Sequence, residues 1–121
     1  MLLGSRSGRF DSKGEARAIK PFAASSIPLV TLGVFILWLG WFGFNGGSQL
    51  AWGGDDSVYA SAVVMATQIA AAAGGLGALI TSWIWFGKPS LSQTLNGCIA
   101  GLVSITAGCG NMTFGGAAVA A

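Results

Sequence analysis

The sequence predicts an all-α membrane protein, a piece of a larger bundle that crosses the bilayer several times. Hydrophobic residues make up 53% of the 121-residue chain, charged residues only 8%, and the mean hydropathy is +0.69. A soluble domain of this size carries about a quarter charged residues. The charges also cluster and leave uncharged stretches at 21–54, 57–87 and 89–121. Each stretch is long enough for a bilayer-spanning helix of roughly 20 residues.

Helices are predicted rather than the strands of a closed barrel. In hydrocarbon every backbone polar group needs an internal partner, and only helices or closed barrels provide one. Barrel strands alternate apolar and polar residues over about 10 positions. The continuous apolar run Leu29–Phe44 shows no such alternation, so the uncharged stretches are expected to be helical.

The first span is predicted at about residues 27–45. It opens at Pro28, which a first helical turn tolerates because the N–H groups of that turn lack partners. The Gly46–Ser48 stretch is expected to break the helix. Residues 1–26 are expected to hold the end of an earlier helix, at Met1–Leu3, followed by a charged linker.

The second span is predicted at residues 57–86, with Ser57 as a possible cap and Lys88-Pro89 after its end. At about 1.5 Å per residue it exceeds the roughly 30 Å hydrocarbon core, so it should tilt or protrude.

The third span is predicted at 91–107, beginning after Ser90 or Ser92. The last residues, 115–121, are interpreted as the start of another helix, and residues 27–121 as part of one domain.

Small residues at four-residue spacing predict close helix packing. Gly97 and Gly101 form one such pair, Gly43 and Gly47 a second, and Gly74 stands four residues before Ala78. Pairs of this kind let helix backbones approach each other in lipid. They indicate a tight bundle without indicating a particular activity.

The positions of lysine and arginine predict the orientation. Five of the six lie in the first 20 residues and the sixth is Lys88, whereas the 46–57 loop has none. Cytoplasmic segments near a membrane are enriched in these residues. The start of the chain and the Lys88 loop are therefore expected in the cytoplasm, and the 46–57 loop outside.

Catalytic, metal and cofactor sites are not expected. The chain has no histidine, and its four acidic residues all lie in the polar segments. A straight helix would hold Cys98 and Cys109 roughly 16 Å apart, beyond the about 7 Å reach of a disulfide, so both are interpreted as packing residues. An enzyme is not predicted, and neither is a nucleic-acid partner.

The segment Leu37–Ser48 reads LWLGWFGFNGGS and resembles the sixth-helix signature of the ammonium transporter (Amt/Mep/Rh) family, LWxGWFGFNxGS. Residues 3–11 resemble the linker before that helix, residues 87–91 (GKPSL) the following inner loop, and residues 96–106 the eighth helix. The chain departs from common family patterns at Met65-Ala66-Thr67 and at 106–110, where it is closer to plant and algal members.

The resemblance implies three transmembrane helices, numbers six to eight, of an eleven-helix ammonium transporter fold. It also implies a homotrimer, a multi-pass location in the plasma membrane, and ammonium or methylammonium as cargo. The family's paired pore histidines belong to helices before and after this stretch. The chain alone is therefore expected to be inactive.

The resemblance also implies the candidate substrate-binding residues. Phe44 matches the outer gate of the pore, Trp41 and Leu37 match its wall, Ser48 matches the outer recruitment site, and Thr106 matches a pore-side threonine. Three alternatives stay open for these residues. The phenylalanine could face lipid, the serine could be a simple helix-end residue, and the threonine could bond only to its own helix.

Three further polar or aromatic positions receive structural interpretations. Trp38 is expected to pack against neighbours or lipid, Asn45 to anchor the backbone locally, and Thr67 to bond back to its own helix rather than line the pore. Two competing classes for the whole chain are a small membrane assembly subunit and an unrelated polytopic channel. The twelve-residue signature favours the transporter over both.

Overall fold

The computed structural model describes residues 25–50 and 53–121. The predicted end of an earlier helix, the charged linker and the linker resemblance at 3–11 lie outside the described residues. The described part forms helices without any strand, which confirms the all-α class. The helices are α1 (Ile27–Gly47), α2 (Asp56–Phe86), α3 (Leu91–Thr106) and α4 (Phe114–Ala120).

Helix α1 begins as the sequence predicts but extends two residues past its predicted end. The Ser26 hydroxyl accepts a hydrogen bond from the Leu29 amide at 3.4 Å, and Pro28 occupies the first turn. The glycines near its end do not break the helix. The Ser48 amide still donates to the Phe44 carbonyl at 3.2 Å, so the last turn closes normally.

Helix α2 is 31 residues long, about 46 Å at the usual rise. The predicted cap is wrong, because the Ser57 hydroxyl lies inside the first turn and donates to the Gly54 carbonyl at 2.7 Å. Asp55 occupies the cap position without a side-chain hydrogen bond. The helix ends at Phe86 and is capped by Gly87, whose φ of 70° lies in the left-handed region that glycine adopts without strain.

Helices α2 and α3 interlock through glycines. A Cβ added at Gly101 would collide with the Ala70 carbonyl, and one at Gly97 would collide with Gly74 and Ala78. The pairs predicted at 97/101 and 74/78 therefore face each other across this contact. The third predicted pair differs, because a Cβ at Gly43 or Gly47 would meet no atom within 4 Å.

Helix α3 is 16 residues long, about 24 Å, whereas α1 and α2 have the length and apolar composition of membrane spans. It begins directly after Ser90. Helix α4 begins at Phe114, one residue before the predicted start of a further helix. Its Ala117 packs with Ala66, Ala70 and Ile105, so this short helix closes one end of the α2–α3 pair.

Helix α1 packs against α2 and α3 with one narrow face. Val34 joins Leu95 and Cys98 in a buried cluster, with Trp38 and Ile99 partly buried against it. Cys98 is a free, buried thiol and Cys109 a free, half-buried one, as their interpretation as packing residues requires. Within the described residues, most of the α1 surface carries exposed large apolar side chains, such as Leu32, Ile36 and Leu39.

Candidate functional site

Four of the five predicted site residues form one stripe along α1. Leu37, Trp41, Phe44 and Ser48 follow each other at spacings of four, three and four residues. At about 3.6 residues per turn these positions fall within roughly 60° of the helix circumference. We call these four residues the α1 stripe. It runs beside the face that packs on α2 and α3 and reaches the end of α1 at Ser48.

The fifth predicted residue, Thr106, is joined to the α1 stripe by a hydrogen bond. The Trp41 Nε1–H donates to Thr106 Oγ1 at 2.9 Å, and the Thr106 hydroxyl donates to the Leu102 carbonyl of its own helix at 2.8 Å. Thr106 therefore bonds both to its own helix and to α1. The structure brings together two residues that the resemblance singles out separately.

Phe44 lies beside Trp41 in the C-terminal half of the stripe. The two ring centroids are 5.8 Å apart with an interplanar angle of 48°, a tilted arrangement that aromatic pairs favour. The Phe44 side chain is 61% exposed on the described residues. This exposure fits both predicted roles, a pore gate and a lipid-facing aromatic.

Ser48 and Leu37 stand at the two ends of the stripe. The Ser48 hydroxyl donates to the Phe44 carbonyl at 2.6 Å, and the residue follows the last helical position of α1. Its side chain is exposed, so its oxygen keeps two lone pairs free for a cargo that carries N–H groups. Leu37 is 49% exposed, stands one turn before Trp41, and contributes only apolar surface.

Trp38 packs as predicted and also makes a hydrogen bond that the sequence did not indicate. Its ring stacks with Phe35 at a centroid distance of 6.4 Å. Its Nε1–H donates to Gln68 Oε1 on α2 at 3.0 Å. Trp38 and Gln68 line a shallow apolar groove on the outside of the described bundle, away from the α1 stripe.

Asn45 corrects a prediction. It was expected to anchor the backbone locally, but its Nδ2–H donates to Thr67 Oγ1 on α2 at 3.0 Å. The Thr67 hydroxyl in turn donates to the Val63 carbonyl at 2.8 Å. An amide inside an apolar helix is itself the signal for such a bond, because in lipid it must find a partner on its own or another helix.

The candidate site contains no titratable side chain. The α1 stripe and Thr106 offer hydroxyl oxygens, aromatic faces and apolar surface. Across residues 25–50 and 53–121 no three of His, Cys, Asp and Glu lie close enough together to hold a metal ion. The arrangement can therefore replace water around a small cation through hydrogen bonds and ring faces, without forming an ion pair.

Comparisons with known proteins agree on one family. The sequence model of the Ammonium Transporter Family matches residues 1–120. The chain is 45% identical to Ammonium transporter Amt2 of Archaeoglobus fulgidus over 109 residues, which are 90% of the chain and 22% of that protein. It is 41% identical to Ammonium transporter Amt1 of the same organism over 119 residues, which are 98% of the chain and 27% of that protein.

The fold gives the same answer. The crystal structure of Saccharomyces cerevisiae Mep2 matches with a TM-score of 0.72 at 36% sequence identity, over 78% of the chain and 20% of Mep2. The chain thus spans about a quarter of the length of these relatives. Because the family model covers almost every residue and the fold agrees, the chain belongs to the ammonium transporter family.

Proposed function

We propose that this chain forms part of the pore wall and outer gate of an ammonium transporter. The observation that carries the proposal is the Trp41–Thr106 hydrogen bond, which joins the α1 stripe to α3. A pore wall formed by two helices needs side chains of both helices that contact each other where the helices meet. The named relatives are ammonium transporters, and this chain covers the part of them that contains the stripe.

The chemistry of the stripe suits an ammonium or methylammonium ion. Such a cation carries several N–H donors and a positive charge. The Ser48 oxygen accepts hydrogen bonds, and the faces of Trp41 and Phe44 attract a cation through their π electrons. Because no carboxylate lies in the stripe, the cation is not trapped by an ion pair. Phe44 then blocks the path to water until its ring moves aside.

The wider setting follows from family membership. Members of this family are multi-pass membrane proteins, and α1 and α2 are long and apolar enough to cross a bilayer. We further propose a homotrimer in the plasma membrane, with transport rather than covalent chemistry as its activity. The alternative of a small assembly subunit is not favoured, because the relatives over almost the whole chain are transporters.

A chimera provides the test. The matched segment of Archaeoglobus fulgidus Amt1 is replaced by these 121 residues, and methylammonium uptake is measured in yeast that lacks its own ammonium transporters. Ser48→Ala removes an acceptor from the arriving cation, a loss of about 0.5–3 kcal/mol. The half-saturating concentration should therefore rise between about twofold and a hundredfold. Phe44→Ala should instead change the maximal uptake rate, because the ring blocks the pore and contributes to the orderly passage of the cation.

Two matched controls separate the site from general damage. Ser61→Ala removes an exposed hydroxyl that donates only to its own helix, to the Val58 carbonyl at 2.7 Å. Phe35→Ala removes an exposed ring on α1 that lies off the stripe. Both controls should keep wild-type kinetics. Wild-type half-saturation and maximal rate in Ser48→Ala and Phe44→Ala, at matched expression, would show that the stripe is not part of the pore.

A further inference from the structure

We propose that Asn45 and Thr67 are positioning residues, whose hydrogen bond fixes the rotation of α1 about its own axis and so aims Phe44 and Trp41 into the pore. Neither residue belongs to the α1 stripe. The inference rests on the proposed function, because it concerns how that stripe is held.

Among the described residues, steric fit does little to fix the rotation of α1. Of its 21 residues only Val34, Asn45 and Gly46 are buried within the described part of the chain. Four glycines of α1 have no close neighbour among the described residues, because an added Cβ would meet no atom within 4 Å. They are Gly33, Gly40, Gly43 and Gly47. The α2–α3 pair differs, since its glycines interlock. Against α2 and α3, specific side-chain bonds therefore supply what steric fit supplies between those two helices.

Among the described residues three such bonds connect α1 to α2 or α3, and they differ in burial. Trp38 donates to Gln68 at an exposed position, and Trp41 donates to Thr106 at a half-buried one. The Asn45–Thr67 bond is the fully buried member, with Asn45 at 1% and Thr67 at 0% exposure. A buried polar bond is costly to break, because neither partner can turn to water instead.

The Thr67 hydroxyl is held in one orientation. It donates its hydrogen to the Val63 carbonyl at 2.8 Å, which turns a lone pair toward the Asn45 amide. Asn45 Oδ1 is buried and has no hydrogen-bond partner among the described residues. The side chain thus has one side-chain partner in this part of the chain, and losing the Thr67 hydroxyl would leave both ends of the amide unpaired.

The bond lies where rotation of α1 matters most. Asn45 directly follows Phe44 and stands one turn beyond Trp41. Asn45 is tied to α2 and Trp41 to α3, so two bonds within one turn hold the outer end of α1 from two directions. One residue changes direction by about 100° around a helix. Even a partial rotation would move the Phe44 ring off the path.

The test uses the full-length chimera with uptake normalised to the amount of protein in the membrane. Thr67→Val removes the hydroxyl at nearly constant shape. We expect the maximal uptake rate per molecule to fall about twofold to tenfold. The half-saturating methylammonium concentration, which depends on Ser48, should stay within about twofold of the wild-type value. Thr67→Ser keeps the hydroxyl and should restore the rate. Thr94→Val is the matched control, because the Thr94 hydroxyl donates only to the Ser90 carbonyl of its own turn.

A double variant keeps the test decisive if Thr67→Val accumulates poorly. Asn45→Leu with Thr67→Val replaces both partners by apolar groups, which removes the unpaired amide that would destabilise the single variant. A low rate per molecule in this double variant, with normal amounts of protein, supports a positioning role. A wild-type rate per molecule overturns it and leaves the bond as a stabilising contact alone.

The same cells distinguish failure of the inference from failure of the proposed function. If Ser48→Ala and Phe44→Ala change the kinetics while Thr67→Val behaves like Thr94→Val, only the positioning role is wrong. If all four variants have wild-type kinetics, the stripe is not a pore wall, and the question of how it is positioned no longer arises.

Discussion

Threonine hydroxyls at positions 67 and 106 each serve two helices at once. In both cases the hydrogen goes to the carbonyl four residues earlier, and the oxygen accepts a bond from a side chain of α1. Bonding back to the helix satisfies the donor and fixes the direction of the lone pairs. These two threonines thereby connect α2 and α3 to α1.

Removing the indole N–H of Trp41 tests whether its hydrogen bond to Thr106 supports uptake. Trp41→Phe keeps an aromatic ring and removes the donor to Thr106, with a net loss of about 0.5–1.5 kcal/mol. We expect uptake per molecule to fall, and Thr106→Val to produce a similar fall. The double variant should be no worse than either single variant, because the second change removes a bond that is already broken. Additive losses in uptake would contradict this coupling.

The sequence predicted the candidate residues of the site but not their partners. A twelve-residue resemblance identified Trp41, Phe44, Leu37 and Ser48, and a second resemblance identified Thr106. The bonds from Trp41 to Thr106 and from Asn45 to Thr67 depend on how α1 is rotated against α2 and α3. Because α1 is apolar on all sides, hydrophobic periodicity does not show which face packs, and the rotation could not be predicted.

At the scale of whole elements, the bundle combines one interlocked pair with one loosely fitted helix. Helices α2 and α3 touch backbone to backbone at their glycines, whereas α1 meets them through side chains. The approximate helix positions could be predicted, because apolar runs and charged breaks limit where a span can lie. The cap of α2 could not, since Asp55, Asp56 and Ser57 all suit that position.

The interlock predicts opposite effects for the same substitution at two glycines. Gly101→Ala places a methyl group against the Ala70 carbonyl, which belongs to rigid backbone. We expect destabilisation of about 1–3 kcal/mol from overpacking and a lower midpoint of thermal unfolding in detergent. Gly77→Ala, where nothing lies within 4 Å, should leave the midpoint unchanged or raise it, because alanine favours helix. Equal losses at both positions would contradict the interlock.

At the scale of the whole molecule, the surface of the described residues is suited to contact with lipid and with neighbouring helices. Large apolar residues are exposed along α1, including Leu29, Leu39 and Phe35, and at the far end of α2, including Ile84 and Trp85. Exposed apolar surface on this scale is unfavourable in water. The two ends of α2 differ in character, with acidic residues at the start and aromatic residues followed by Lys88 at the end.

This asymmetry predicts the orientation of the chimera in the membrane. With Cys98 and Cys109 replaced by alanine, Asp55→Cys should react with a membrane-impermeant thiol reagent added outside. Lys88→Cys should react only after permeabilisation, because basic residues favour the cytoplasmic side. Labelling of position 88 but not of position 55 in intact cells would refute the predicted orientation.

The direction of three hydrogen bonds gives the candidate pore wall a chemical polarity. Trp41 gives its N–H to Thr106, Thr106 gives its hydrogen to Leu102, and Ser48 gives its hydrogen to Phe44. Leu37 and the ring of Phe44 have no donor to give. Every side-chain donor of this wall is therefore already used, and only lone pairs and ring faces remain. These five residues offer an anion no free side-chain donor, whereas a species rich in N–H groups finds an acceptor at the Ser48 oxygen.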